Sequence, residues 1–143
     1  MEFITKNFHP VRVHAVQQRD EFKKLGQRFN AQWTPTTLIV DPDGVERHRI
    51  EGFLPIEEFL PQLELGLAKS AFGRGQFADA ERLFRGLVER YPNSDAAAES
   101  LYWAGVSRYK ATNDPSALVE TAKHFSSRYT DSTWAKKASV WSS

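Results

Sequence analysis

The chain has 143 residues, 41% of them hydrophobic and 13% aromatic, with 19 basic and 18 acidic side chains and no cysteine. This length forms one typical domain or two small ones, and it buries enough apolar surface to fold without disulfides. The lack of cysteine excludes disulfide scaffolds, iron–sulfur clusters, thiolate zinc sites and a cysteine nucleophile within these residues. The net charge of +1 argues against a nucleic-acid partner.

Two features bear on the cellular compartment. Residues 1–7 contain no apolar core of a signal peptide. Apolar runs such as residues 38–40 are far shorter than the ~20 residues that a bilayer requires, so we expect no membrane span. These observations predict a cytoplasmic protein, or a periplasmic one if an upstream segment carries a signal.

The first third of the chain has the pattern of a strand, a helix and two further strands. Residues 10–16 alternate apolar and polar side chains with the period of two that is typical of a strand. Residues 19–29 change to a helical period, and their apolar side chains share one face: Phe22, Leu25 and Phe29. Residues 33–41 are β-branched and apolar, which predicts a largely buried strand.

A turn and a polar strand follow. Residues 41–44 place Asp, Pro and Gly where a tight turn favours them, so residues 45–51 are expected to complete a hairpin. The many charges of that second strand suit an exposed sheet edge. Pro55 and the two acids after it predict the start of a helix, and Pro61 predicts a break within it.

The rest of the chain has a helical pattern with an internal repeat. Apolar stripes at helical spacing are separated by turn residues at 73–75, 92–94 and 114–115. Residues 89–94 recur as residues 127–132, at an offset of 38. Periods of about 34–47 residues are typical of helical solenoids, in which each unit buries its apolar face against its neighbour.

Residues 3–59 resemble the last two thirds of a thioredoxin-like domain. The resemblance is carried by residues 33–44, which include Trp33, Thr34 and Pro35, and by residues 52–55. In that family the matching proline is cis, stands opposite the redox cysteines, and follows a residue whose backbone binds extended substrates. The resemblance therefore implies a cis bond before Pro35 and a peptide-binding site at Trp33, Thr34 and Pro35. The alternative is a proline that serves only the geometry of the fold.

The same resemblance implies that a part of the domain is missing. The strand and helix that carry Cys-x-x-Cys in this family precede everything present here, and residues 3–8 resemble the tail of that helix. Three interpretations remain open. The chain is a fragment of a longer protein, the strands at 10–16 and 33–41 close up directly, or another subunit supplies the missing strand.

Residues 68–141 resemble tetratricopeptide-type repeats, of the variety found in bacterial envelope and periplasmic assembly proteins. This resemblance, which implies a bacterial protein, is carried by residues 75–84 and 91–94. Aromatic side chains of this half are expected to pack between helices. The alternative is that the last repeat, which no capping helix follows, leaves an apolar interaction surface. Its candidate residues are Tyr102, Trp103, Trp134 and Trp141.

Other chemistries find no pattern in the sequence. The four histidines are scattered, with no pair at metal-ligand spacing, so we expect no metal site. Phosphate-binding, dinucleotide-binding and nucleophile motifs are missing, so we expect no cofactor and no catalytic residue.

Together the patterns predict an α/β part followed by an α part. The first is a partial thioredoxin-like sheet over residues 1–60, and the second is a tetratricopeptide-like helical hairpin array over residues 61–143. The predicted function is a non-catalytic interaction module for a protein or peptide partner, with homo-oligomers if strand edges stay unpaired. The alternative is a fragment of a thioredoxin-family thiol-disulfide oxidoreductase whose cysteines lie upstream. Enzyme activity is left open, but this chain alone is expected to be inactive in thiol exchange.

Overall fold

A computed structural model describes residues 2–143. The helices are α1 Glu2–Asn7, α2 Arg19–Phe29, α3 Ile56–Gly73, α4 Phe77–Arg90, α5 Asp95–Thr112, α6 Ser116–Ser127 and α7 Thr133–Ala138, with a final 3-10 helix at Ser139–Ser142. The strands are β1 Thr36–Val40 and β2 Glu46–Glu51. The chain is thus a small sheet and two short helices followed by a helical array, which confirms the predicted fold class.

The two strands form an antiparallel hairpin with a bulge after Ile39. Its turn is organised by the buried carboxylate of Asp41, which accepts the backbone N–H of Asp43 at 2.9 Å and of Val45 at 3.0 Å. Arg47 Nε donates to the same carboxylate at 2.8 Å. Burial would raise the pKa of Asp41, but the hydrogen bonds from Val45, Arg47 and Asp43 outweigh it and the pKa is lowered. The predicted turn is confirmed.

Residues 10–16 do not form the predicted strand. They run as irregular chain into a turn at residues 15–18, where His14 Nδ1 accepts the backbone N–H groups of Val16 and Gln17 at 3.2 Å each. In the part of the chain that the structure describes, the sheet has only β1 and β2. No strand lies beside this segment, so local hydrogen bonds take up its backbone groups instead. The interpretation that it closes up directly on β1 is therefore wrong for this structure.

The break predicted at Pro61 does not occur, because α3 is assigned without interruption from Ile56 to Gly73. A proline within a helix costs about 3 kcal/mol, since it removes one backbone hydrogen bond and crowds the preceding turn. Full burial of one leucine contributes about 1.5–3 kcal/mol, and α3 buries both Leu63 and Leu65 after the proline. Packing therefore offsets the cost of the proline.

Helices α3 to α7 stack around two apolar clusters. One lies among α3, α4 and α5 and is formed by Leu65, Ala68, Ala71, Ala80, Phe84, Leu87, Ala96 and Ala104. The other lies further along the array and is formed by Val88, Ala98, Leu101, Phe125 and Ala138. The repeat at an offset of 38 is visible in its turns. Ser94 Oγ donates to Tyr91 O at 2.8 Å, and Ser132 Oγ donates to Tyr129 O at 2.7 Å.

The hairpin is attached to the helical array through one face of α3. Ile39 and Ile50 form a buried cluster with Leu63. A polar chain lies beside it: His48 Nε2 contacts Gln62 Oε1 at 2.6 Å, Lys69 Nζ lies 3.4 Å from His48 Nδ1, and Lys69 also pairs with Glu99 at 2.7 Å.

Helix α3 therefore belongs to both parts of the chain. The domain boundary predicted after residue 60 falls inside this helix, and it stays a prediction. Among residues 2–143, no helix has the length and apolar character needed to cross a membrane.

Candidate functional site

Strand β1 has one edge that is paired and one that is free. Gly52 N donates to Pro35 O at 2.8 Å, which fixes the phase of hydrogen bonding between the two strands. Because antiparallel strands alternate, the backbone N–H and C=O groups of Thr36 and Leu38 point away from β2. Within residues 2–143, no hydrogen bond from outside the hairpin reaches these groups.

The chain enters β1 through the predicted peptide-binding residues. The bond between Thr34 and Pro35 is cis, the conformation that the family resemblance implies. Thr36 Oγ1 donates to Trp33 O at 2.5 Å, so the strand begins with a tight turn. The side chain of Trp33 packs poorly and remains 66% exposed. Trp33, Thr34 and Pro35 therefore lie together at one end of the free edge.

An apolar cavity of about 700 Å³ lies along this free edge. It has three walls: the irregular segment at residues 11–15, the apolar face of α2, and β1 with the residues before it. Phe53, which follows the hairpin and is 91% exposed, also lines it. Its main apolar lining residues are Val11, Val13, Phe22, Leu25, Phe29 and Leu38. All three predicted peptide-binding residues line the same cavity.

Helix α2 covers the cavity although none of its own residues is buried. Arg49 of β2 holds the C-terminal end of this helix, because its guanidinium donates to the carbonyl of Phe29 and, at 3.0 Å, to that of Asn30. The carboxylates of Glu46 and Glu51 hold the same guanidinium at 2.7 and 3.1 Å. The hydrogen bond to Glu46, followed by that to Glu51, raises the pKa of Arg49. One charged cluster thus positions the wall of an otherwise apolar cavity.

The electrostatic character of the cavity is weakly positive. Arg12 and His14 are its only ionisable lining residues, and no carboxylate lines it among the residues that the structure describes. Between residues 2 and 143, no group of three or more His, Asp or Glu side chains is placed to hold a metal ion. The cavity offers apolar contact, free backbone groups and one or two cations.

The second set of predicted residues forms a cluster of rings at the far end of the array. Tyr102 stacks on Trp141 with ring centres 4.8 Å apart, and it contacts Trp134 at 5.2 Å and Trp103 at 5.4 Å. Lys137 Nζ lies 4.2 Å from the centre of the Trp134 ring. All four aromatic residues are half-buried, and they pack beside Leu101 or Leu87 in the two cores. The structure brings them together, and their role as an interaction surface stays a prediction.

Several cavity residues were not predicted from the sequence. Arg12 and Val11 were assigned to a strand, and Phe53 was noted only as part of a family motif. The signal that distinguishes Phe53 is its position directly after a turn glycine, Gly52, with no apolar partner at helical or strand spacing. Val11 is 84% exposed in the structure, which marks the open side of the cavity.

Comparison with known families agrees with this architecture. Residues 1–66 match the family model of a thioredoxin-like domain, and residues 63–94 match that of a tetratricopeptide repeat. The chain carries a thioredoxin-like domain followed by a tetratricopeptide repeat. No curated protein and no solved structure gives a significant match. The cavity lies in the thioredoxin-like domain, and the two matches overlap within α3, the helix shared by both parts.

Proposed function

We propose that the chain is a non-catalytic interaction module that binds an extended peptide of a protein partner beside Trp33, Thr34 and Pro35. The observation that carries the proposal is the open apolar cavity of about 700 Å³ that these residues line. Exposed aromatic side chains at such a cavity are typical of surfaces that a partner covers. Extended peptides are commonly bound where a sheet edge offers unpaired backbone groups.

The magnitude of the apolar contact sets the expected affinity. An aromatic side chain buries about 150–250 Å² when it is covered, so covering one contributes roughly 5 kcal/mol at ~25 cal/mol per Å². Trp33 and Phe53 together would therefore contribute about 10 kcal/mol. Association costs on the order of 4–15 kcal/mol in lost freedom, so a dissociation constant in the micromolar range is expected.

The test compares alanine variants of the exposed aromatic residues. The probe is a soluble synthetic peptide of alternating valine and threonine, titrated by calorimetry against the full chain. Trp33→Ala and Phe53→Ala are expected to weaken binding at least tenfold. Val140→Ala is the matched control, because Val140 is 70% exposed but lies in the terminal helix. Equal affinities of all four proteins would contradict the proposal.

The second candidate function is part of a thiol-disulfide oxidoreductase, and the match of residues 1–66 to a thioredoxin-like domain favours it. Thiol exchange requires a thiolate that attacks a disulfide, and these 143 residues contain no cysteine. The chain is therefore expected to give no reduction of insulin disulfides above the dithiothreitol background. Turnover by this polypeptide would contradict both the cysteine argument and the proposed binding role.

A further inference from the structure

We propose that the cavity accepts a single β-strand from a different protein, which pairs with the free edge of β1. This inference rests on the proposed function and names the form of its ligand, a strand that continues the sheet. The preceding proposal requires only that a peptide contact Trp33 and Phe53. Strand addition also requires backbone hydrogen bonds along Thr36 and Leu38.

The backbone of β1 supplies the first reason. Thr36 and Leu38 direct two N–H and two C=O groups into the cavity that they line. A partner strand of about five residues would match the length of β1, which spans Thr36–Val40. Such a strand leaves no donor or acceptor on this edge without a partner.

The shape of the cavity supplies the second reason. It separates β1 from residues 11–15, a segment with the alternating pattern of a strand but with no strand beside it. Helix α2 lies over the gap and contributes an apolar face but no buried residue. A segment placed between the two walls would bury the faces of α2 and β1 at the same time. The gap thus has the arrangement expected of a sheet that lacks one strand.

The lining determines the chemistry of the partner strand. Side chains of the inserted strand that face α2 would contact Phe22, Leu25 and Phe29, so they must be apolar. Strands covered on both faces are typically continuous runs of valine, isoleucine and leucine. Arg12 at the wall has no carboxylate partner among residues 2–143, which favours an acidic residue at one end of the strand.

A second copy of this chain fits the cavity less well. Its own candidate segment, residues 10–16, carries Arg12 and His14 and would place cations beside the same cations of the host. Its β1 and β2 already pair with each other. The partner is therefore a different polypeptide, with an apolar and acidic segment.

The test uses the full chain and a peptide pair that differs only in hydrogen-bonding capacity. The probe is a peptide of five valine and isoleucine residues preceded by glutamate, kept soluble by a polyethylene glycol tail. Its controls carry N-methyl groups on every second amide, one control for each phase. Affinity is measured by fluorescence anisotropy, and exchange of the Thr36 and Leu38 amides is followed by NMR.

The unmodified peptide is expected to bind in the micromolar range and to slow exchange of both amides at least tenfold. One of the two N-methylated peptides is expected to bind at least tenfold more weakly. Equal binding of all three peptides would overturn strand addition while leaving peptide binding at the cavity intact. No binding by any of them would overturn both proposals.

A charge-reversal pair tests the acidic end of the strand. Arg12→Glu is expected to weaken binding of the glutamate peptide several-fold at low salt. The same peptide with lysine in place of glutamate is expected to recover that loss on the variant. Dimerisation of the chain without peptide, seen by light scattering and abolished by Arg12→Glu, would instead identify a second copy as the occupant.

Discussion

Glu58 is the residue that most directly joins the thioredoxin-like part to the helical array. Its carboxylate accepts the backbone N–H of Asp95 at 2.9 Å, at the first position of α5. Ser94, which precedes that helix, uses its own hydroxyl on Tyr91 and provides no side-chain cap. We predict that Glu58→Gln lowers the free energy of unfolding by about 1 kcal/mol, the usual effect of a lost N-terminal cap.

The neighbouring acid provides the control for this prediction. Glu57 is exposed, lies in the same first turn of α3, and has no hydrogen bond or ion pair in the structure. Glu57→Gln removes the same charge from the helix start, so any effect through the helix dipole is shared by both variants. Urea unfolding that gave equal losses for the two would show that the contact with Asp95 contributes nothing.

His48 makes stability depend on pH at the junction of hairpin and helix. Burial lowers the pKa of His48, with Lys69 acting in the same direction against the hydrogen bond from Gln62 and the charges of Glu99 and Glu46. A histidine whose folded pKa is lowered stabilises the protein fully above its unfolded pKa of ~6.5. This stabilisation is lost as the pH falls from there through the folded pKa.

The pH prediction is tested by urea unfolding at pH 7.5, 6.5, 5.5 and 5.0. Wild type is expected to lose stability over this range more steeply than His48→Gln, because only wild type must protonate a buried ring. His124→Gln is the control, since His124 is exposed on α6, and it should retain the wild-type slope. A variant His48→Gln with an unchanged slope would show that this ring does not titrate as described.

At the scale of helices, the closest contact of the array lies between α5 and α6. A Cβ built on Gly105 would lie 2.0 Å from Thr121 Oγ1 and 2.7 Å from Thr121 Cβ. Thr121 is itself buried and donates to Ala117 O at 2.7 Å, so it has little room to move. We predict that Gly105→Ala lowers the free energy of unfolding by about 1–3 kcal/mol through overpacking.

A second helical glycine separates packing from helix propensity. At Gly86 of α4 the nearest atom to a built Cβ is Arg90 Nη1, at 3.1 Å, the end of a flexible side chain. Gly86→Ala is therefore expected to leave stability unchanged or raise it by up to ~1 kcal/mol, as alanine favours a helix. Thermal unfolding compares the two variants, and equal effects would contradict a specific contact at Gly105.

Elements whose signals are local could be predicted from the sequence. The hairpin turn at residues 41–44, helix α2 and the helical turns all follow from neighbouring residues. The segment at residues 10–16 could not be predicted correctly, because a strand forms only where another strand supplies hydrogen bonds. Pro61 was misjudged for a related reason, since the burial that holds α3 together comes from other elements.

The candidate site divides along the same line. Trp33, Thr34 and Pro35 could be predicted because three adjacent residues carry the family motif. Arg12 and Phe53 join them only through tertiary structure, about 20 residues away on either side. The contact of Arg49 with the end of α2 is equally distant in sequence, so no pattern in the chain indicates it.

At the scale of the whole molecule, stability is expected to be uneven. Helices α1 and α2 bury none of their described residues, whereas α4 buries four and α5 eight. Regions with few buried apolar contacts open at low free energy. We predict that amides of α2 exchange with solvent at least a hundredfold faster than those at the centres of α4 and α5.

Hydrogen exchange with mass spectrometry measures this difference directly. Peptide fragments covering residues 19–29 should exchange within seconds to minutes, and those covering residues 98–106 over hours. The α6 helix is an internal reference, because it is short but buries four residues. Equal protection of α2 and α5 would show that the cavity is closed by contacts other than those described, and that the walls are already rigid.

The central claim is that the chain binds its partner at the cavity of the thioredoxin-like domain. Its most direct test is a nitrogen–proton NMR titration of the full chain with the glutamate-bearing valine and isoleucine peptide. The account predicts saturable shifts confined to residues 11–15, α2 and residues 33–40, while the ring cluster at Tyr102 and Trp141 is unaffected. Shifts confined to that ring cluster, or no shifts at millimolar peptide, would contradict it.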